Sequence, residues 1–218
     1  MQTVIIAGAS GMVGNIIQRE CLDAEIVSEV TSIVRRASGI SHPKLKEIVH
    51  QDFLDFSTIK EHFAGQDVAH FCIGAYTDAV PDDEFKIITV DMVQTFADAV
   101  LEGNPNAIFC LLSGAGADPQ EKSRVSFARY KGIAENYLIT KQFKNLNIFR
   151  PAYSYPVEKR AETNLMYRLS RSLYPLLKNL MPGSAITSEE LGKAMFKAGI
   201  ETANHGILEN KDIKKLND

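Results

Sequence analysis

Short apolar runs alternate with amphipathic stretches along most of this chain. The run TVIIAG at residues 3–8 is continuously apolar rather than alternating, as in a strand covered on both faces. A helix is expected from about Met12 to Leu22. Further strands are expected over residues 30–36, 47–52, 68–74, 107–114 and 145–152. Ser57 reads as the cap of a short helix ending at Gly65. Longer helices are expected over residues 83–103 and 123–141. Repeated strand–helix units with short buried strands predict an α/β fold, a doubly wound parallel sheet.

From about residue 156 the pattern turns helical, punctuated by Pro156, Pro175, Pro182 and Gly183. The stretch TSEELGKAMFKAGI opens on a cap and spaces its apolar residues as a helix does, so a closing helix packed on the sheet is expected. The more hydrophobic residues 165–180 suit a helix packed on the core better than a specific partner surface, and they could also cover a substrate cleft. The chain therefore reads as a single α/β domain over residues 1–218. Residues 1–155 form its core, and residues 156–218 a small C-terminal helical extension.

The first strand ends in Gly8-Ala9-Ser10-Gly11-Met12-Val13-Gly14, a GxxGxxG pattern directly before a helix. Gly8 permits the tight turn, Gly11 lets a pyrophosphate approach the backbone, and Gly14 lets helix and strand pack closely. The helix N-terminus adds free N–H groups and a partial positive charge. Ser10, Met12 and Val13 belong to the same phosphate-binding turn. A glycine pattern alone is weak, but strand, glycines and helix in this order point to a dinucleotide. Residues 1–218 thus read as a single Rossmann-type domain, with 1–155 as its dinucleotide-binding core and 156–218 as its substrate-side extension.

The second strand bears on which dinucleotide. An acidic residue at its end takes the ribose of NAD, whereas arginine accommodates the extra phosphate of NADP. Here Arg35 and Arg36 stand at that point, with no Asp or Glu before Glu47. Two guanidiniums can pair a 2′-phosphate through charge-assisted bonds, so NADP(H) is the expected cofactor. Asp52 and Phe53 end the third strand, where Asp52 is expected to accept from the adenine amino group. Ile73, Gly74 and Ala75 end the fourth, where the ribose would pass.

With GASGMVG, VRR, QDFLD, LLSGAGAD, Lys131 and FRPA in place, residues 1 to about 155 resemble the short-chain dehydrogenase/reductase superfamily. Within it the chain is similar to the atypical NAD(P)-binding group that includes the NmrA-like and Tat-interacting oxidoreductase-like proteins. The resemblance implies Pro151 and Ala152 at the cofactor, and a catalytic serine, tyrosine and lysine. Ser113 matches the serine and Lys131 the lysine, but Phe127 occupies the tyrosine position of YxxxK. Losing general acid–base help of that kind typically costs about 10²–10⁴ in rate. Tyr130 is rotated about 100° from Lys131 and is expected to point sideways, to solvent or a neighbouring helix. The remaining proton donors are Ser113, Lys131, and Tyr153 or Tyr155. Some atypical members similarly lack the tyrosine and are thought to use the lysine or water.

Composition narrows the rest. A chain of 218 residues with net charge −3 has no general attraction to nucleic acid or anionic membrane. Cys21, Cys72 and Cys110 show no CxxC spacing and read as buried free thiols, which suits a reducing cytoplasm. No leader-like start and no membrane-length apolar run is read. His42, His50, His62, His70 and His205 lack metal spacing, so no metal is expected. The acidic stretch at residues 81–85 reads as a loop entering a helix. A protein partner or a homodimer stays open, with no residue singled out.

Three functions fit these residues. The first is an NADP(H)-dependent oxidoreductase acting on a small carbonyl or alcohol. The second is a non-catalytic NADP(H)-binding redox sensor or regulatory protein. The third is a nucleotide-sugar epimerase-like enzyme, for which the chain is short.

Overall fold

The computed structural model describes residues 1–77, 79–155, 185–201 and 203–217. Six parallel strands form the sheet that the hydrophobic runs anticipate: β1 (Gln2–Ala7), β2 (Val27–Val34), β3 (Leu45–Val49), β4 (Val68–Phe71), β5 (Ile108–Leu112) and β6 (Asn145–Arg150). Two further strands, β7 (Tyr153–Tyr155) and β8 (Ala185–Thr187), pair with each other in parallel. The last strand, β9 (Gly206–Glu209), adds to the edge of the main sheet beside β6. The main sheet runs β3-β2-β1-β4-β5-β6-β9 with every pair parallel.

Alternate residues of β1 feed two cores. Val4 and Ile6 face one side, where they join Val13, Ile17, Leu191 and Met195. Ile5 and Ala7 face the other, with Phe56, Phe63, Phe96 and Phe109. Helix α1 (Met12–Asp23) therefore lies on one face, and α3 (Met92–Gly103) and α4 (Ser126–Thr140) on the opposite one. Complete burial of Val4, Ile5 and Ile6 explains the unbroken apolar run. A strand under helices on both sides has no solvent face to make polar.

The chain departs from the sequence expectation at several places. Ser57 is not a helix cap: it lies inside a 3-10 turn (Ser57–His62), and its N–H donates to Asp55 Oδ1 at 2.8 Å. The expected long helix at 83–103 is three pieces: α2 (Asp82–Lys86), a π-turn (Ile87–Asp91) and α3. The tail is not simply helical. Helix α5 (Ser188–Ile200) forms as expected, with Thr187 and Glu190 making a reciprocal capping box, but strands β8 and β9 flank it and α6 (Asn210–Lys215) follows. Four-residue strands such as GILE are too short for periodicity to announce them. The expectation for residues 165–180 lies outside the described residues.

Strand order reverses between β1 and β4. In parallel sheets, ligands bind in the crevice beyond the strand ends at such a reversal. The glycine turn sits there.

Candidate functional site

Gly8 leaves β1 at φ +93°, and a Cβ there would stand 2.8 Å from the Cys72 carbonyl carbon and 2.9 Å from Ile73 N. Only glycine lets the two strand ends approach so closely. Gly14 serves the packing of the helix instead. Its missing Cβ would fall 2.2 Å from Gly8 O, so α1 is pressed against the turn. Gly11 donates its N–H to Gly8 O at 2.9 Å and is the N-cap of α1. Gly11 itself has no side chain with which to cap the helix. The first-turn N–H groups around Met12, Val13 and Gly14 are therefore left for a ligand.

A cleft of about 530 Å³ opens from this turn toward the end of β2, lined by Ala9, Ser10, Asn15, Gln18, Arg35 and Arg36 among others. Because β2 stops at Val34, both arginines lie just beyond it and are exposed. Among the described residues neither guanidinium is held in an ion pair. Gln51 Nε2 anchors the loop by donating to Arg35 O at 2.6 Å, and Ser38 N donates to Glu47 Oε2 at 3.0 Å. Glu47 also lines the cleft, one carboxylate against two guanidiniums.

The other cofactor candidates divide. Asp52 is exposed and spends Oδ1 on Leu54 N at 2.9 Å. Phe53 is a core residue, 5% exposed, stacked edge-on against Phe56, and it offers a ligand little but backbone. Ile73, Gly74 and Ala75 follow β4 beside Gly8, with Gly74 exposed. Pro151 is buried and its carbonyl accepts Ala115 N at 2.9 Å, tying the β5 and β6 ends together, while Ala152 is exposed.

The structure does bring Ser113 and Lys131 together. Lys131, half-buried on α4, donates through Nζ to Leu112 O at 3.3 Å, the carbonyl preceding Ser113. Burial pulls its ammonium down to about 8, against the upward pull of Glu135. Ser113 donates its hydroxyl to Glu135 Oε1, and Arg150 Nε reaches both oxygens of that carboxylate at 3.1 Å. Arg150 continues to Glu209 on β9, with Nη1 to Oε1 at 3.2 Å. The hydrogen bonds that Arg150 donates to Glu135 hold its guanidinium above the ordinary arginine value.

Phe127 lies where the resemblance placed it, one turn before Lys131. Its ring covers Gly114, whose missing Cβ would stand 2.5 Å from Phe127 Cζ. Tyr130 turns to the neighbouring helix rather than to solvent: its hydroxyl donates to Asp82 Oδ2 at 2.7 Å, and it packs with Phe85 and Val90. The side chain of Tyr153 lies outside the described residues.

Sequence reasoning missed Glu135, Arg150 and Glu209. A signal existed for the first: Glu135 stands four residues after Lys131, on the same helix face. Arg150 lies within FRPA, but its partners come from distant segments.

The three cysteines are buried free thiols as expected, with Cys21 and Cys110 pushed up to about 12 by burial and Cys72 pushed up as well. His70 is buried and driven down to about 3, so it is a neutral core residue. Among the described residues no cluster could hold a metal ion, and no helix is long and apolar enough to cross a membrane. A larger surface hollow of about 740 Å³ lies between the 3-10 turn and α3, lined by Lys60, Asp98 and Glu102 among others. None of the candidate residues lines it.

A crossover crevice, a glycine turn and an uncapped helix define a dinucleotide-binding α/β protein. The chain belongs to the NAD(P)H-binding family, matched over residues 8–153. It is 31% identical over 153 residues to protein HTATIP2 of Rattus norvegicus, covering 69% of this chain and 62% of that protein's length. Its fold is similar to that of the Bordetella bronchiseptica enzyme WbmH in complex with NAD+, with TM-score 0.71 and 18% identity over 96% of this chain and 75% of that one. Gre2 of Candida albicans, solved with NADPH, gives TM-score 0.70 and 16% identity over 95% and 77%. At such identities the likeness establishes the fold alone.

Proposed function

We propose that this protein is an NADP(H)-dependent oxidoreductase acting on a small carbonyl or alcohol. The observation that carries the reading is the cleft joining the glycine turn to two exposed guanidiniums, held in no ion pair among the described residues. The residues suit the dinucleotide. Gly8, Gly11 and Gly14 leave the space that side chains would fill, the α1 N-terminus offers N–H donors to the pyrophosphate, and Arg35 and Arg36 offer charge to a 2′-phosphate. Glu47 works against that phosphate, but two cations outweigh one anion. When bound, the nicotinamide supplies the hydride chemistry. Lys131 can then hold a ribose hydroxyl and, with its lowered proton affinity, give or take a proton near neutral pH.

Titration of the purified protein with NADPH and NADH tests the cofactor, with NADPH expected to bind more tightly. Equal affinity would remove the argument from Arg35 and Arg36. Turnover is tested by NADPH consumption over a panel of aldehydes, ketones and quinones. One observation favours a second reading, a redox-sensing binder: the Phe127 ring stands where the superfamily keeps its proton carrier. Clear NADPH binding without turnover on any of the panel would favour it. Three buried free thiols support placement in a reducing compartment such as the cytoplasm.

A further inference from the structure

Ser113 has one hydroxyl proton and two lone pairs. Its Oγ is bonded to Glu135 Oε1, and Glu135 is 1% exposed. Arg150 holds both oxygens of the same carboxylate, through Nε and Nη2. A carboxylate gripped in this way is an acceptor only. The proton between serine and glutamate is therefore the serine's own, and it points inward. What Ser113 can offer a ligand is lone pairs. Lys131, anchored on the adjoining carbonyl of Leu112, has donors and no acceptor.

We infer that Glu135 is a positioning residue that turns Ser113 into a hydrogen-bond acceptor, so that the site selects a ligand presenting a hydroxyl rather than a carbonyl. An alcohol can donate to Ser113 while its oxygen accepts from Lys131. A ketone has no proton to give, and its oxygen would set lone pairs against those of the serine. The inference rests on the proposed function, an oxidoreductase of a small carbonyl or alcohol, and it narrows that substrate to the alcohol side of the redox pair.

Cyclohexanol and cyclohexanone, matched except at the oxygen, serve as probes. Their competition for the NADP-loaded protein is followed by ligand-observed NMR. One neutral hydrogen bond corresponds to a preference of about tenfold, so the alcohol is expected to bind about tenfold more tightly. In Glu135→Gln, Arg150 keeps the amide oxygen and the amide NH₂ faces Ser113, whose proton then turns outward. The preference should shift toward the ketone, whereas a merely structural lesion would weaken both probes alike. Ser113→Ala, which leaves the Glu135–Arg150 pair intact, should abolish the preference.

Equal or ketone-favouring binding by the wild type, no binding of either probe, or an alcohol preference retained in Ser113→Ala would overturn the inference. A parallel NADPH titration separates the two claims. If NADPH fails to bind while the unloaded protein still prefers the alcohol, the cofactor reading falls alone. If NADPH binds without an alcohol preference, the serine inference falls alone.

Discussion

Tyr130 donates its hydroxyl to Asp82 across 2.7 Å, and that bond commits it to α2 rather than to the face of α4 that carries Lys131. Hydrogen bonds from Ser126 and Tyr130 in turn hold the Asp82 carboxyl below the usual aspartate value. The tyrosine beside the lysine is thus a docking residue. Tyr130→Phe is expected to lower the urea midpoint slightly and to leave NADPH affinity unchanged. A loss of NADPH binding or turnover in a folded variant would return Tyr130 to the chemistry.

Phe127→Tyr tests the same helix from its other side. The new hydroxyl would extend from Cζ, the ring atom nearest the place where a Gly114 side chain would stand. A proton carrier in that place is worth roughly 10²–10⁴ in rate, so NADPH-dependent turnover should rise by at least about a hundredfold. No increase, with NADPH binding intact, would count against catalysis at this site.

Arg35→Ala and Arg36→Ala should each weaken NADPH binding by about ten- to a hundredfold, the worth of a hydrogen bond to a charged group. NADH affinity should not change. Isothermal titration of both cofactors makes the comparison, and parallel losses for the two would show that the arginines do not read the extra phosphate.

Gly14→Ala would drive a methyl group to 2.2 Å from Gly8 O, a backbone atom with nowhere to go. Overpacking of this kind costs about 1–3 kcal/mol and shifts α1 away from the turn. Chemical denaturation should register the loss, together with a drop in affinity for both dinucleotides.

Lys131 governs a pH dependence of stability. Its ammonium is pulled from 10.5 to about 8 in the folded protein, so the folded state binds fewer protons than the unfolded chain between those values. Stability therefore rises as pH climbs from about 8 toward 10.5, and the burial penalty is fully present below 8. Lys131→Met should remove that slope and stabilise the protein at pH 7 by on the order of 2 kcal/mol. Denaturation curves across the alkaline range provide the check, and an unchanged slope would assign it to another group.

The glycine turn and the arginine pair of the candidate site were legible because each is local. Gly8, Gly11 and Gly14 lie within one turn, and Arg35 and Arg36 sit at the end of one apolar run. The same periodicity found β1, β4, β5 and β6 to within a few residues. What it missed depends on distant segments. Glu135 meets Ser113 and Arg150 from three different elements, and β9 is recognisable only by the partner it finds. Ser57 misled because its hydroxyl suits a cap, whereas it lies within the turn and its N–H donates back to Asp55 two residues earlier. The π-turn at 87–91 escaped because one extra residue per turn barely disturbs an apolar stripe.

The clamp from Ser113 through Glu135 and Arg150 to Glu209 also has a consequence for biogenesis. On the ribosome the glycine turn, β4 and β5 emerge well before β9, so the nucleotide cradle can close while the far end of the clamp is still unmade. Until Glu209 is translated, Arg150 has, among the described residues, its inner partner alone. The dinucleotide pocket should therefore mature first, and the serine's surroundings should finish last in synthesis.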